Sequence, residues 1–404
     1  MKKTAEYVQG RALAAIEIGQ LVNLIVGDAV ECGASDIHIE PWEDHLMVRL
    51  RLNGVLTELV HAPLELTDKI AARLKVMANL VNYVTDLPQE GHVPASPEIG
   101  NVELRISVFP TVRGEKIVIR IFDPSKRSFD LSQLGFEQSS LRTFISMLSR
   151  PSGLLLLTGP TGSGKTTVIY AALTHLINRF GLSISISTVE DPVEFHLPMV
   201  SQAQINPNKE FSYPIALRSL MRQDPQVIMI GEIRDAETAA IAVQAGLTGH
   251  LVISTIHSGS TAGVFARLIN MEIEPFLLSS SIVGVMGLRL IRNNCPYCAR
   301  PYQPEPSNLR ILPPELVENA SFRKGDGCEQ CSNTGFLGRS SITEMLIVDE
   351  PIRDAILQKL PTRTLQKVAV ESGMRPLWDA GLTHVANGST TLEELLRVVA
   401  VDQF

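Results

Sequence analysis

A glycine-rich stretch in the middle of the chain constrains the fold more than any other feature. Residues 154–157 are four consecutive leucines, which is typical of a strand that is buried on both faces. The pattern Gly159-x-x-x-x-Gly164-Lys165-Thr166 follows, and apolar residues then recur at helical spacing over residues 166–178. This order of strand, glycine loop and helix directs backbone N–H groups toward a polyphosphate. The stretch predicts a nucleoside triphosphate site, and a glycine-rich turn that matches by chance is the alternative.

Each part of this loop has an expected role in binding the triphosphate. Its glycines allow the backbone to approach the phosphates closely. Lys165 is expected to reach the β- and γ-phosphates, and the hydroxyl of Thr166 is expected to bind Mg²⁺. The predicted ATP-binding residues are Gly159, Pro160, Thr161, Gly162, Ser163, Gly164, Lys165, Thr166 and Thr167.

Length and composition narrow the classes of protein that the chain can belong to. A chain of 404 residues suggests two or three domains. A net charge of −7 and 5% aromatic residues disfavour a surface that coats nucleic acid. No apolar stretch reaches the roughly 18 residues of a membrane span, and the N-terminus lacks the apolar core of a secretory signal. We therefore expect a cytosolic protein with no nucleic-acid partner.

Residues 1–123 predict a small α+β domain that carries two facing arginines. Two stretches with alternating polarity, 102–109 and 116–122, flank a turn at residues 110–114 and predict a hairpin. If the hairpin is symmetric, Arg105 and Arg120 lie directly opposite each other. Like charges in such a pair cost stability, which suggests that an anion binds there. The alternative is two solvated arginines on an exposed face.

A polar segment at residues 124–130 predicts a linker, and residues 131–404 predict a second domain with carboxylates at strand ends. A strand predicted at 184–189 ends beside Glu190. The apolar run 227–230 is followed by Gly231 and Glu232, so a glycine stands where a Mg²⁺-binding aspartate is expected. Glu232 is then the candidate for polarising water. For each segment taken alone, an acidic surface turn is the alternative.

Two histidines bracket a third predicted strand at residues 251–254. We expect His250 to be structural. His257 lies beyond the strand and is the better candidate for sensing the γ-phosphate.

Cys295, Cys298, Cys328 and Cys331 form two Cys-x-x-Cys pairs within residues 295–331. Four thiolates that can surround one ion tetrahedrally predict a structural Zn²⁺ site in a protein of a reducing compartment. The alternative is four buried or redox-active cysteines.

Five sequence blocks occur in an order that resembles one family. They are residues 34–41, the glycine loop, residues 188–194, residues 222–225 with 231–235, and residues 247–250 with 255–257. In this order they are similar to the secretion ATPase superfamily, specifically its type II secretion and type IV pilus assembly group (GspE/PilB-like). Residues 1–33 precede the first block, so we expect either a short member or a shortened chain, because many relatives carry a longer N-terminal docking domain.

The resemblance implies an α/β fold with a RecA-like P-loop motor domain built on a mainly parallel sheet. The motor would contain the tetracysteine zinc element and a helical C-terminal region at 341–404, and a small PAS-like α+β domain would precede it. The resemblance implies that Glu232 activates water with Glu190 assisting, that His257 belongs to the His box, and that Arg105 and Arg120 contact the γ-phosphate.

The same resemblance implies a homo-hexameric cytoplasmic ATPase that uses ATP, Mg²⁺ and Zn²⁺. It would drive pilus or pseudopilus assembly and reach the inner membrane peripherally, through platform proteins. The zinc element favours assembly or export over pilus retraction. A hexameric ATPase that translocates nucleic acid and a nucleotide-gated scaffold with little turnover are the alternatives.

Overall fold

The computed structural model describes residues 2–123 and 129–399, and the chain divides into two compact units, Met1–Arg127 and Ser128–Phe404. The division falls inside the linker predicted at residues 124–130. Of that linker, residues 124–128 lie outside the described residues.

The first unit combines three helices with a six-stranded antiparallel sheet among its described residues. The strands have the order β3-β2-β1-β6-β5-β4. The elements are α1 (Lys2–Gln9), α2 (Ile18–Glu31), β1 (Asp36–Pro41), β2 (Leu46–Leu52), β3 (Val55–Ala62), α3 (Thr67–Met77), β4 (Gln89–Val93), β5 (Glu103–Thr111) and β6 (Gly114–Phe122).

The alternating sequence of these strands explains how the first unit buries its core. In β6, Ile117, Ile119 and Ile121 are buried while Arg120 is exposed, because successive side chains of a strand point to opposite faces. The apolar side chains of α2 and α3 join the buried faces of the strands in one hydrophobic cluster. The other face of the sheet carries many polar and charged side chains, including both arginines of the β5–β6 hairpin.

The second unit is an α/β domain. Its described elements are α4 (Gln138–Leu148), β7 (Gly153–Thr158), α5 (Lys165–Phe180), β8 (Ile186–Glu190), β9 (Ser201–Gln204), α6 (Tyr213–Leu220), β10 (Val227–Ile233), α7 (Ala236–Leu247), β11 (Leu251–Ile256), α8 (Thr261–Asn270), α9 (Pro275–Ser281), β12 (Ile282–Asn294), β13 (Ala299–Pro301), α10 (Pro306–Leu309), α11 (Pro314–Asn319), β14 (Arg323–Gly325), β15 (Phe336–Ile347), α12 (Glu350–Leu357), α13 (Thr362–Glu371), α14 (Leu377–Ala386) and α15 (Leu392–Val398).

The second unit is built on a seven-stranded sheet of order β15-β12-β7-β11-β10-β8-β9, in which only the β12–β15 pair is antiparallel. The leucines of β7 show why this strand lies in the interior of the sheet. Leu154 and Leu156 pack into the layer that contains α6, α7 and α8, and Leu155 and Leu157 pack into the layer with α4 and α5. A strand covered on both faces needs an unbroken apolar run, and the predicted mainly parallel sheet is confirmed.

The helical C-terminal region begins later than the predicted residue 341. Residues 341–347 complete β15, which pairs with β12 from Phe336 to Ile347, and helices occupy the chain only from Glu350 onward. The segment alternates Ile342, Glu344 and Leu346 with Thr343 and Met345, and β-branched residues at such a spacing favour a strand.

Candidate active site

The glycine loop has the backbone conformation that its sequence predicts. It connects β7, which ends at Thr158, to α5, which begins at Lys165. Gly159, Gly162 and Gly164 have φ angles of 153°, 77° and 94°, a region in which side chains are strained. A Cβ atom on Gly159 would also lie 2.5 Å from the carbonyl oxygen of Leu288. The loop therefore requires glycine for both conformation and space.

The polar groups of the loop fit a polyphosphate. Nζ of Lys165 donates to the carbonyl oxygens of Gly159 at 2.8 Å and Pro160 at 3.0 Å. Burial lowers the pKa of Lys165, and the carboxylate of Glu232 opposes that shift. The buried hydroxyl of Ser163 has no hydrogen-bond partner in the described part of the chain. A donor of this kind, beside a helix N-terminus and an ammonium group, suits a phosphate oxygen.

The carboxyl ends of four neighbouring strands meet at the edge of the sheet that carries this loop. In the order β7, β11, β10 and β8, these ends carry the glycine loop, His257, Glu232 and Glu190. The Glu232 side chain is 17% exposed and pairs with Arg234, and Nε2 of His257 lies 3.7 Å from its Oε2. The structure therefore brings Glu232, His257 and Lys165 to one edge of the sheet, and their catalytic roles stay predictions.

His250 lies at the opposite end of β11 from His257. Its Nδ1 lies 3.1 Å from the carbonyl oxygen of Ala245 and 3.4 Å from the hydroxyl of Thr248. These local contacts fix the turn after α7, as expected for a structural histidine.

Glu190 is fixed by a buried hydrogen-bond network. Its carboxylate accepts from the hydroxyl of Tyr170 on α5, from the hydroxyl of Thr188 at 2.6 Å and from Nε2 of Gln202 at 3.0 Å. Burial and this hydrogen bond to Glu190 raise the pKa of Tyr170. The network ties the helix of the glycine loop to the end of β8, which suits Glu190 to a positioning role.

Gly231 stands where an aspartate is expected, and the structure supplies a physical reason. A Cβ atom on Gly231 would lie 2.7 Å from the hydroxyl of Tyr213 and 3.4 Å from Cα of Glu190. A side chain has no room there, because Tyr213 fills the space from α6. Burial and the charges of Glu232 and Asp191 raise the pKa of Tyr213, so its hydroxyl stays protonated among these carboxylates.

Sequence reasoning missed three side chains of this region: Tyr170, Tyr213 and Arg289. Tyr170 could have been found, because it follows Thr166 by one helical turn on α5. Tyr213 and Arg289 reach the site from segments whose proximity no local pattern encodes.

In the first unit, Arg105 and Arg120 are cross-strand partners in the β5–β6 hairpin, as predicted. Nε of Arg120 donates to Oδ1 of Asp36 at 3.1 Å, and the guanidinium of Arg105 lies 4.7 Å from the centroid of the Phe122 ring. These contacts offset part of the repulsion within the pair. The Arg120 side chain is still 60% exposed, so its remaining donors are accessible. The predicted contact with a γ-phosphate stays a prediction.

The four cysteines predicted to bind zinc form one cluster. Their sulfur atoms all lie within 4.8 Å of one another, and the Sγ atoms are 3.8 Å apart for Cys295–Cys328, 3.9 Å for Cys298–Cys331 and 3.7 Å for Cys328–Cys331. A tetrahedron with metal–sulfur bonds of about 2.3 Å has edges of about 3.8 Å. Burial opposes ionisation of Cys331, but backbone N–H groups of Cys328 and Gly335 lower its pKa to about 7. The cluster is thus able to hold a tetrahedral metal ion.

A parallel sheet with a glycine phosphate loop and a carboxylate and a histidine at adjacent strand ends defines a P-loop ATPase. A family model described as "Type II/IV secretion system protein" matches residues 12–397. The chain is 40% identical over 409 residues to the type IV pilus assembly ATPase PilB of Myxococcus xanthus, covering 100% of this chain and 72% of that protein. It is 41% identical over 379 residues to the type II secretion system protein E of Pseudomonas aeruginosa, covering 94% and 75%.

Solved structures agree with this fold. The pilus retraction motor PilT with bound ADP has a TM-score of 0.62 at 24% identity and covers 93% of this chain and 96% of its own. The ATPase DotB of Yersinia pseudotuberculosis has a TM-score of 0.68 at 21% identity, with 96% and 95% covered. The chain belongs to the type II/IV secretion system protein family and is an ATPase. In the described part of the chain, no helix is both long and apolar enough to span a bilayer.

Proposed function

We propose that the protein is a hexameric motor that hydrolyses ATP to drive pilus or pseudopilus assembly in a type IV pilus or type II secretion system. The observation that carries the proposal is the convergence of Lys165, Glu232 and His257 on the glycine loop at one edge of the parallel sheet. The names of the full-length relatives at about 40% identity support both kinds of system.

In the proposed reaction, water attacks the γ-phosphorus of ATP. The loop N–H groups and Lys165 hold the triphosphate, while Glu232 orients the water and takes up its proton. A new P–O bond to water forms as the bond from phosphorus to the β,γ-bridging oxygen breaks, and ADP and inorganic phosphate result. Thr166 would hold Mg²⁺, which when bound would neutralise negative charge on the phosphates. His257 contacts the carboxylate of Glu232 and reports whether the γ-phosphate is present.

The first unit contributes the two arginines in this proposal. Arg105 and Arg120 bind the γ-phosphate through their guanidinium groups, whose planar donor pairs match phosphate oxygens. Release of phosphate frees the first unit to move, and this motion performs the mechanical work.

Membership of the secretion system protein family supports the proposed setting. The motor acts in the cytoplasm as a ring of six copies and reaches the inner membrane through platform proteins. The tetracysteine cluster holds Zn²⁺, which favours a motor of pilus or pseudopilus assembly over a motor of pilus retraction. Nucleic acid has no part in the cycle.

The experiment compares ATP turnover of the wild type with that of Lys165→Ala and Glu232→Gln. Lys165→Ala should lose nucleotide binding, whereas Glu232→Gln should retain binding and lose at least a hundredfold in kcat, which is the size of a general-base contribution. Glu237→Gln is the matched control, because Glu237 is an exposed acid on α7 that pairs only with Arg218 among the described residues. Wild-type turnover in both site variants, or turnover that requires added DNA, would refute the proposal that the protein is a pilus or pseudopilus assembly motor.

A further inference from the structure

Strand β12 passes beside the glycine loop. It runs parallel to β7 with Met286 opposite Leu157 and Gly287 opposite Thr158, the last residue of β7. The next residues of β12 therefore continue alongside the loop. The side chains of Leu288 and Leu290 come within 3.7 Å of a Cβ atom placed on Gly164.

Arg289 brings a second cation to the first glycine of this loop. Its Nη1 would lie 3.2 Å from a Cβ atom on Gly159, the residue whose carbonyl oxygen accepts from Lys165. The same Nη1 donates to the carbonyl oxygen of Leu288 at 2.9 Å. Lys165 from α5 and Arg289 from β12 thus converge on one point of the loop.

The positive charges of these two half-buried side chains repel each other. The positive charge of Arg289 adds to burial in lowering the pKa of Lys165, and burial lowers the pKa of Arg289 itself. Within the described residues, no carboxylate forms an ion pair with the guanidinium of Arg289. Glu344 is the carboxylate that acts on it from a distance, and its oxygens already accept from Thr261 and Gln366.

A partly buried guanidinium that lacks a paired carboxylate is costly unless an anion meets it. ATP presents several negative charges at the point where the P-loop lysine reaches the β- and γ-phosphates. We propose that Arg289 is a phosphate-binding residue of the ATP site, contacting the terminal phosphates from the β12 side. The inference rests on the proposed reaction at the glycine loop and adds to it a contact from within the second unit.

A purely structural role makes a different prediction. If Arg289 only supports the loop through the carbonyl oxygen of Leu288, its loss weakens the fold and affects all nucleotides alike. A phosphate contact instead affects ligands according to their phosphate content.

The test measures the Kd of a non-hydrolysable ATP analogue, of ADP and of AMP for Arg289→Gln and Arg289→Lys in the full chain. Arg289→Gln should weaken binding of the ATP analogue about ten- to hundredfold, which is the range for a charge-assisted hydrogen bond. The affinity for ADP should fall less, and the affinity for AMP should not change. Arg289→Lys keeps the charge without the planar donor pair and should recover part of the loss.

Arg218→Gln is the matched control, because Arg218 is exposed on α6 and pairs with Glu237. Equal loss for all three ligands together with a lowered Tm, or unchanged affinities in Arg289→Gln, would overturn the inference. If Arg289→Gln lowers Tm, the ratio of the ATP-analogue affinity to the AMP affinity is measured for Arg289→Lys instead and compared with that of the wild type. An unchanged ratio in that variant also overturns the inference. If the wild type itself neither binds nor hydrolyses ATP, the proposed function fails first, which is a separate outcome.

Discussion

The fit between Gly231 and Tyr213 supports a quantitative prediction. In the Gly231→Ala variant, the new methyl group would lie 2.7 Å from the Tyr213 hydroxyl, well inside ordinary van der Waals distance. Tyr213 belongs to the hydrophobic core around α6 and β10 and is 9% exposed, so a shift of its ring disturbs packed neighbours. Overpacking of this kind typically costs about 1–3 kcal/mol.

The second change, Tyr213→Phe, removes the clashing oxygen and leaves the ring in place. The atoms then nearest to the new methyl group are Cα of Glu190 and the carbonyl oxygen of Val189, each at 3.4 Å, which is an ordinary contact. The double variant should therefore recover most of the stability that Gly231→Ala loses. The coupling between the two changes should be about 1–2 kcal/mol, within the range for contacting residues.

The assay is a double-mutant cycle measured by denaturant unfolding at one fixed protein concentration, because association would shift apparent stability. Gly259→Ala is the control, since a Cβ atom there meets nothing within 4 Å. It should change stability by less than about 0.5 kcal/mol. If the two changes at positions 231 and 213 add without coupling, the steric account of this glycine is wrong.

Two further predictions concern the metal cluster and the pH dependence of stability. Purified protein should contain one zinc per chain by elemental analysis, and a chelator or Cys295→Ser should remove it and lower Tm. Retention of zinc in that variant would contradict the four-cysteine site. Burial lowers the pKa of His38, His175 and His384, so the unfolded chain binds protons more readily than the folded one. The free energy of unfolding should therefore fall as pH decreases below about 6.5, the ordinary histidine pKa, and His384→Gln should reduce that slope. A slope of opposite sign would refute this reasoning.

The parts of the fold that depend on neighbouring residues could be predicted from the sequence. The leucine run, the glycine loop and the start of α5 are predicted to within a residue, because a strand buried on both faces leaves an unbroken apolar run and a helix leaves a local period. The pairing of Arg105 with Arg120 was also predicted, because a short turn fixes the register of the hairpin that it connects.

The parts that depend on sheet order could not be predicted in this way. Arg289 and Tyr213 reach the site because β12 lies beside β7 and α6 packs near the end of β10, and periodicity carries no information about which strands become neighbours. The error at residue 341 has a different cause. Residues 341–347 carry the alternation and β-branched residues of a strand, so the local sequence already favours the strand that pairs with β12.

Strand β12 has one consequence that connects two distant parts of the second unit. Its end at Asn294 leads directly into Cys295, and its middle carries Arg289 beside the glycine loop. At about 3.3 Å per residue, the stretch between them spans roughly 20 Å of extended backbone. Within this stretch Arg289 pairs with Ile342 of β15 and Asn294 pairs with Phe336, so the sheet itself holds the backbone. The position of Arg289 beside the glycine loop should therefore persist when the cysteine cluster holds no ion.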